Sequence, residues 1–410
     1  MDIRPILSTL LRHKTAAALI VVEIALSCAI ICNALFLISN RVERINLVSG
    51  VADNEIVRIQ ITGIGEDDNA AALTRADLAL LRGLPGVEAA VATNQVPFTN
   101  SSWNTSVGLV PDQQRPTANL TQYFGDEHFL PTFGLRLLEG RNFNADEIQE
   151  WEVVDAPGAD IPPTALIITR KAAERLFPGE SAVGKRVYLS RNQATPVVGV
   201  VEHLIRPSDQ GGPAEKEFSM ILPLRLPYTV GSNIMLRTDP ERRQEVLEAA
   251  KEALLSNGPN RIILEENTKT LEELRREYYQ EDRAMVWLLV AVCIALLVVT
   301  ALGIVGLASF WVQQRTKQIG VRRALGATRG QILRYFQVEN FLLATLGIVV
   351  GMLMAYAINQ LLMGRYELPR LPLVYLPVGA VALWLLGQFA VFWPARRAAS
   401  VPPAVATRSV

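Results

Sequence analysis

The sequence predicts an α-helical membrane protein with four transmembrane helices and a large α+β extracytoplasmic domain inserted between helices 1 and 2. Three observations carry this. Half of the 410 residues are hydrophobic, and mean hydropathy is +0.22, high for a purely soluble chain. The apolar residues gather into four runs, each close to the ~20 residues that a helix needs to cross a bilayer. The zero net charge is also a balance of two opposed regions. Residues 41–283 hold 26 basic and 36 acidic side chains, a net −10, whereas the remainder holds 14 and 4, a net +10.

Residues 1–15 are a short basic segment with Arg4, Arg12 and Lys14. Helix 1 covers 16–39, too long for a cleaved signal and without a small-residue cleavage site. The acidic region, 40–283, follows. Helix 2 covers 284–311, with Trp287 and Trp311 placed as interfacial aromatics. A turn at 312–337 contains Arg315, Lys317, Arg322, Arg323, Arg329 and Arg334, and no acidic residue occurs from 312 to 338. Helix 3 covers 338–363, a short loop 364–375, helix 4 376–394, and a tail with Arg396, Arg397 and Arg408 completes the chain. Positive charge marks the cytoplasmic side. Both termini and the 312–337 turn are thus expected inside, and the acidic region outside.

The acidic region reads as strand–helix–strand twice, in 52–102 and 228–266. This suggests a split α+β lobe interrupted by a second lobe at 103–227. Cys28, Cys32 and Cys293 all lie in apolar runs, so no disulfide stabilises it. His128 and His203 lack metal-ligand spacing, no nucleophile–base pattern stands out, and neither a catalytic residue nor a metal is expected. Gly179, Gly184 and Lys185 imitate a phosphate-binding loop, but Arg186 stands where a hydroxyl must reach Mg²⁺. Helix-like sequence precedes that loop and strand-like sequence follows it, the reverse of a P-loop. A stalk helix at 268–283 opens with a capping box, Thr270 and Glu273. Nothing breaks a helix from there to about Leu325, which predicts a rod of roughly 75 Å at ~1.5 Å per residue. Gly303 and Gly306 are the alternative breaks.

In the 312–337 turn, Gly326 suits a helix C-terminus, and Thr328 with Gln331 forms a second capping box. Ile332, Leu333 and Phe336 form the apolar face of the next helix. Composition leaves two readings open: a hairpin that meets a partner, or plain positive charge near anionic lipid.

The stretch RTKQIGVRRALGATRGQIL resembles the signature of FtsX-type ABC permeases, R-x-x-E-I-G-x-R-x-A-x-G-A. Arg315, Ile319, Gly320, Arg322, Ala324, Gly326 and Ala327 match it, Glu339 matches an acid at the third span, and PARRAASVPPAVATR is similar to the family's ending. YFGDEHFLPTFGLRLLEGRNF and ALIITRKAAERLFPGESAVGKRVYL resemble a MacB-like periplasmic core. The resemblance implies a dimeric type VII permease in the bacterial inner membrane, pairing with a second copy or a paralogue. Arg315, Lys317, Gln318, Ile319, Gly320, Arg322, Arg323, Ala324, Gly326 and Ala327 would couple it to a separate cytoplasmic ABC ATPase. That ATPase would hold ATP and Mg; the chain itself would bind no cofactor and hydrolyse nothing. The long helices would pass motion to the periplasmic domain, driving export with a periplasmic adaptor; lipoprotein extraction or cell-wall-hydrolase regulation is the alternative output. The bilayer is a partner and nucleic acid is not. Gln318 stands where the family has Glu, and Pro402 and Thr407 replace an acid and a leucine in the tail. Within the spans, Glu23 is expected to gate or to bond Gln388 or Ser27. Gly347 and Gly351 form a close-packing face against the fourth span or a dimer mate.

Overall fold

The computed structural model describes residues 14–64, 69–159, 161–189, 194–208, 215–230, 233–258, 261–366 and 370–400. Arg4, Arg12, Pro402, Thr407 and Arg408 lie outside them. The chain divides into two compact units, residues 1–46 with 281–410, and residues 47–280.

The first unit starts with helix α1, Lys14–Ile45. In the second, β1 (Ile56–Gly63), α2 (Ala70–Arg82) and β2 (Val87–Thr93) precede the insertion. The insertion supplies β3 (Asn104–Val107), β4 (Ala118–Gly125), α3 (Phe129–Phe133), β5 (Leu137–Gly140), β6 (Gln149–Glu150) and α4 (Trp151–Val154). It continues with β7 (Leu166–Thr169), α5 (Arg170–Leu176), β8 (Arg186–Tyr188), β9 (Ala194–Val201) and β10 (Ser219–Arg225). Next come β11 (Asn233–Thr238), α6 (Arg243–Ser256), β12 (Arg261–Ile263), β13 (Lys269–Thr270) and α7 (Leu271–Tyr278). Four further helices belong mainly to the first unit: α8 (Gln280–Gln314), α9 (Thr316–Ala324), α10 (Arg329–Tyr366) and α11 (Tyr375–Ala399).

The two strand–helix–strand stretches interleave. Their sheet runs β12–β1–β11–β2, with β13 beside β1, and every pair is antiparallel. Strands β1 and β2 therefore never touch; β11, from across the insertion, lies between them. Alternation aims Val57, Ile59 and Ile61 at α2 and α6, where Leu81, Val246 and Ala250 complete a buried core. The insertion has its own mixed sheet, β3–β4–β10–β7–β9–β5, closed over Leu120, Phe124, Leu166 and Met220. The imitation P-loop is a helix–turn–strand connection from α5 to β8. Gly179 and Gly184 turn it with φ of +78° and +83°, and Lys185 lies 4.8 Å from the Phe177 ring centroid and pairs with Glu180.

Helices α1, α8, α10 and α11 are long and apolar enough to cross a membrane. All four extend past the expected spans, because a hydrogen-bonded backbone does not stop where apolar side chains do. The expected rod is interrupted, at Tyr279 and Arg315, while the helix runs unbroken through Gly303 and Gly306. Tyr279 (φ −96°, ψ 14°) is buried against Phe98 and Tyr278, with ring centroids at 6.0 and 5.0 Å. At the second interruption Thr316 Oγ1 donates to Val312 and Gln313 carbonyls, both at 2.9 Å, a competition that bends helices.

Gly347 and Gly351 pack against α1, not the fourth helix. A Cβ on Gly351 would lie 2.6 Å from the Ala25 carbonyl oxygen and 2.6 Å from Cys28 Cβ; one on Gly347 would meet Ile24 at 2.9 Å. Glu23 bonds neither expected partner. Ser27 pairs with Thr300 at 2.8 Å, Gln388 donates to the Gln337 carbonyl at 3.3 Å, and the Glu23 carboxyl lies over Gly303, where a side chain would displace it.

Candidate functional site

The site is the hairpin made by α9 and the first turns of α10. Arg315 enters the bundle at the head of α9. Its Nη1 donates to both carboxylate oxygens of Glu339, at 3.0 and 2.9 Å, and its guanidinium lies 5.3 Å from the Trp311 ring centroid. Both partners are buried, 7% and 1% exposed. Each charge thus compensates the other, and the pair ties α9 to α10.

Ile319 and Gly320 are buried, and Ile319 packs with Ile332, Phe336, Ala395 and Ala398. Arg323 Nη1 donates to the Ala399 carbonyl, joining the hairpin to the end of α11. The turn itself is closed locally. Gly326 has φ +97°, its N–H reaches the Arg323 carbonyl at 3.1 Å, and that of Ala327 reaches Arg322 at 3.0 Å. Thr328 N–H then donates to Gln331 Oε1 at 2.9 Å and Gln331 N–H to Thr328 Oγ1 at 3.2 Å, so both arms of the capping box are made.

The sequence-selected residues consequently separate. Arg315, Ile319, Gly320 and Arg323 hold the hairpin in place. Lys317, Gln318, Arg322, Ala324 and Gly326 are exposed, and Ala327 is half-buried beside them. The sequence reading missed Val321 and Leu325, 51% and 83% exposed. They lie four residues apart with Lys317 and Ala324 on the outward side of α9, and a helical wheel with Ile319 turned inward finds them. It also missed Gln331, Arg334 and Tyr335, which with Gln318 and Arg322 border a cavity of about 460 Å³ between α9 and α10.

More than half of the chain, residues 24–254, matches the model of the MacB-like periplasmic core domain, and residues 290–403 match the FtsX-like permease C-terminal model. The chain belongs to the MacB/FtsX permease family. The permease is 26% identical, over 67% of its length and 41% of the relative's, to the macrolide export ATP-binding/permease protein MacB of Chromobacterium violaceum. It is 25% identical to MacB of Pasteurella multocida over 82% of its length and 48% of the relative's, and 23% identical to MacB of Campylobacter jejuni over 97% and 59%. The permease spans about half the length of these relatives. Among solved structures it is similar to the periplasmic region of MacB from Actinobacillus actinomycetemcomitans, at 15% identity and a TM-score of 0.31, covering 57% of this chain and 97% of that one. The extracellular domain of the transporter YknZ aligns over 50% and 99% of the two chains, at 17% identity and the same TM-score.

In the α+β unit of the permease, His203 Nδ1 bonds Glu217 at 2.8 Å. Asp126, Glu127 and His128 bring possible ligand atoms within 4.8 Å of one another. Arg82 already pairs with Asp126 at 3.2 Å and Arg225 lies 3.7 Å from Glu127, so the carboxylates are charge-compensated by protein groups. We assign no metal there.

Proposed function

We propose that this permease transmits work from a separate ABC-type ATPase to its α+β unit. It would act as a dimer in a bacterial inner membrane, with the termini and the α9–α10 hairpin in the cytoplasm and the α+β unit in the periplasm. The output is export of periplasmic substrates with an adaptor protein. In this reading ATP and Mg²⁺ belong to the ATPase, and the names of the MacB relatives pair ATP binding with a permease.

The observation that carries the reading is the outward face of α9. Lys317, Val321, Ala324 and Leu325 are exposed on a helix held from behind by the Arg315–Glu339 pair. An exposed apolar pair on a rigid support suits a protein contact, and force passes only through a support that does not yield.

The test is a Val321→Asp/Leu325→Asp double variant in nanodiscs with its co-purified ATPase. Both side chains are exposed, so the thermal transition stays near wild type. Stimulation of ATP hydrolysis should fall at least tenfold, about 1.4 kcal/mol of lost coupling. Wild-type-like stimulation would overturn the docking assignment.

A further inference from the structure

Adjoining the Val321 and Leu325 face of α9, the 460 Å³ cavity has a composition that the docking face does not explain. We propose that it binds the phosphate headgroup of an anionic phospholipid.

Charge is the first argument. Arg322 and Arg334 border the cavity and pair with no carboxylate among the described residues, and none of the residues lining it is acidic. Arg315 reaches its wall already neutralised by Glu339. The cavity therefore presents two uncompensated guanidinium groups. The first turns of α10, a 38-residue helix, form one wall, so the positive end of that helix adds to the field.

Hydrogen bonding is the second. Arg322 is held 5.0 Å from the Tyr335 ring centroid, which limits its rotamers and orients its donors. Gln331 Oε1 is occupied by the Thr328 N–H, leaving the amide nitrogen to donate. Guanidinium forks and an amide N–H are the donors that a phosphodiester accepts from.

The third is placement. The inner wall is apolar, with Ile319, Ile332 and Phe336 only 4–6% exposed behind the guanidinium groups, so no polar side chain backs the cavity there. Trp311, at the end of the membrane helix α8, lies against Arg315 at the cavity's edge. A basic cavity between helices at the bilayer boundary is where anionic headgroups bind. Because Gln318 is uncharged, no carboxylate competes for the arginines on the α9 side.

The full-length permease in phosphatidylcholine nanodiscs, with or without phosphatidylglycerol, tests this by native mass spectrometry. We expect one retained phosphatidylglycerol per chain. Arg334→Gln should weaken retention about fivefold, and Arg322→Gln/Arg334→Gln together about 25-fold; Arg334→Lys should restore most of it. Millimolar inorganic phosphate should compete weakly, and full displacement by it would identify a free-phosphate site instead. Unchanged retention in the double variant would overturn the proposal. So would loss of ATPase stimulation by Arg334→Gln in lipid-free detergent, because the cavity would then take an acidic side chain of the partner. Val321→Ser/Leu325→Ser, which disturbs the docking face without adding a carboxylate beside Arg322, should lower ATPase stimulation and leave lipid retention intact, so failure of the docking reading and failure of this one are separable.

Discussion

Removing either partner of the Arg315–Glu339 pair leaves an uncompensated charge inside the helix bundle. Arg315→Ala or Glu339→Ala should cost about 3–5 kcal/mol, seen as a lower midpoint of thermal unfolding in detergent; an unchanged midpoint would show that the pair does not hold the hairpin. Glu147 behaves differently because it is at a surface. Arg141 donates to both of its oxygens, at 2.7 and 2.6 Å, and these bonds hold its carboxyl below the ordinary value of 4.5. A lowered folded pKa means that the stabilisation is present above about pH 4.5 and is lost as pH falls through the folded value. Screening limits it to about 0.5–1 kcal/mol. Chemical denaturation of the α+β unit between pH 5 and 3 should show this loss, and Glu147→Gln should flatten it. At this scale, local pairs were legible: the residues of both capping boxes are three apart, and each box forms. Arg315 was not, since counting charges along the chain cannot tell a basic side chain facing water from one drawn to an acid 24 residues away.

Among elements, the contact between α1 and α10 depends on the absence of side chains. A Cβ on Gly351 would overlap α1 backbone and Cys28, so Gly351→Ala should separate the helices at a cost of about 1–3 kcal/mol. Gly306→Ala meets nothing within 4 Å and serves as the control. Equal thermal shifts for the two would remove close packing as the role of Gly351. The glycine spacing announced a packing face but not its partner, because any helix able to approach closely satisfies it. The helix interruptions were hidden for a related reason. Tyr279 and Arg315 have ordinary helical propensity, and their backbones depart from the helix because of what their side chains and neighbours touch. Gly303 and Gly306, the weak formers, stay helical.

At the scale of the molecule, the α+β unit contains two hydrophobic cores of its own and all three cysteines lie in the other unit. Residues 47–280 expressed alone should therefore fold as a soluble protein with a cooperative thermal transition unaffected by reductant; a molten or aggregated product would make its stability dependent on the helices. The four apolar stretches, the charge partition and the α+β class were determined by the sequence itself, because hydropathy and charge are sums over neighbouring residues and survive without knowledge of the fold. The tertiary structure alone decided that β11 separates β1 from β2, that the glycine face meets α1, and that Arg322 and Arg334 converge on one cavity. Those are relations between residues on different elements, and they exist only once burial and pairing have brought the elements together.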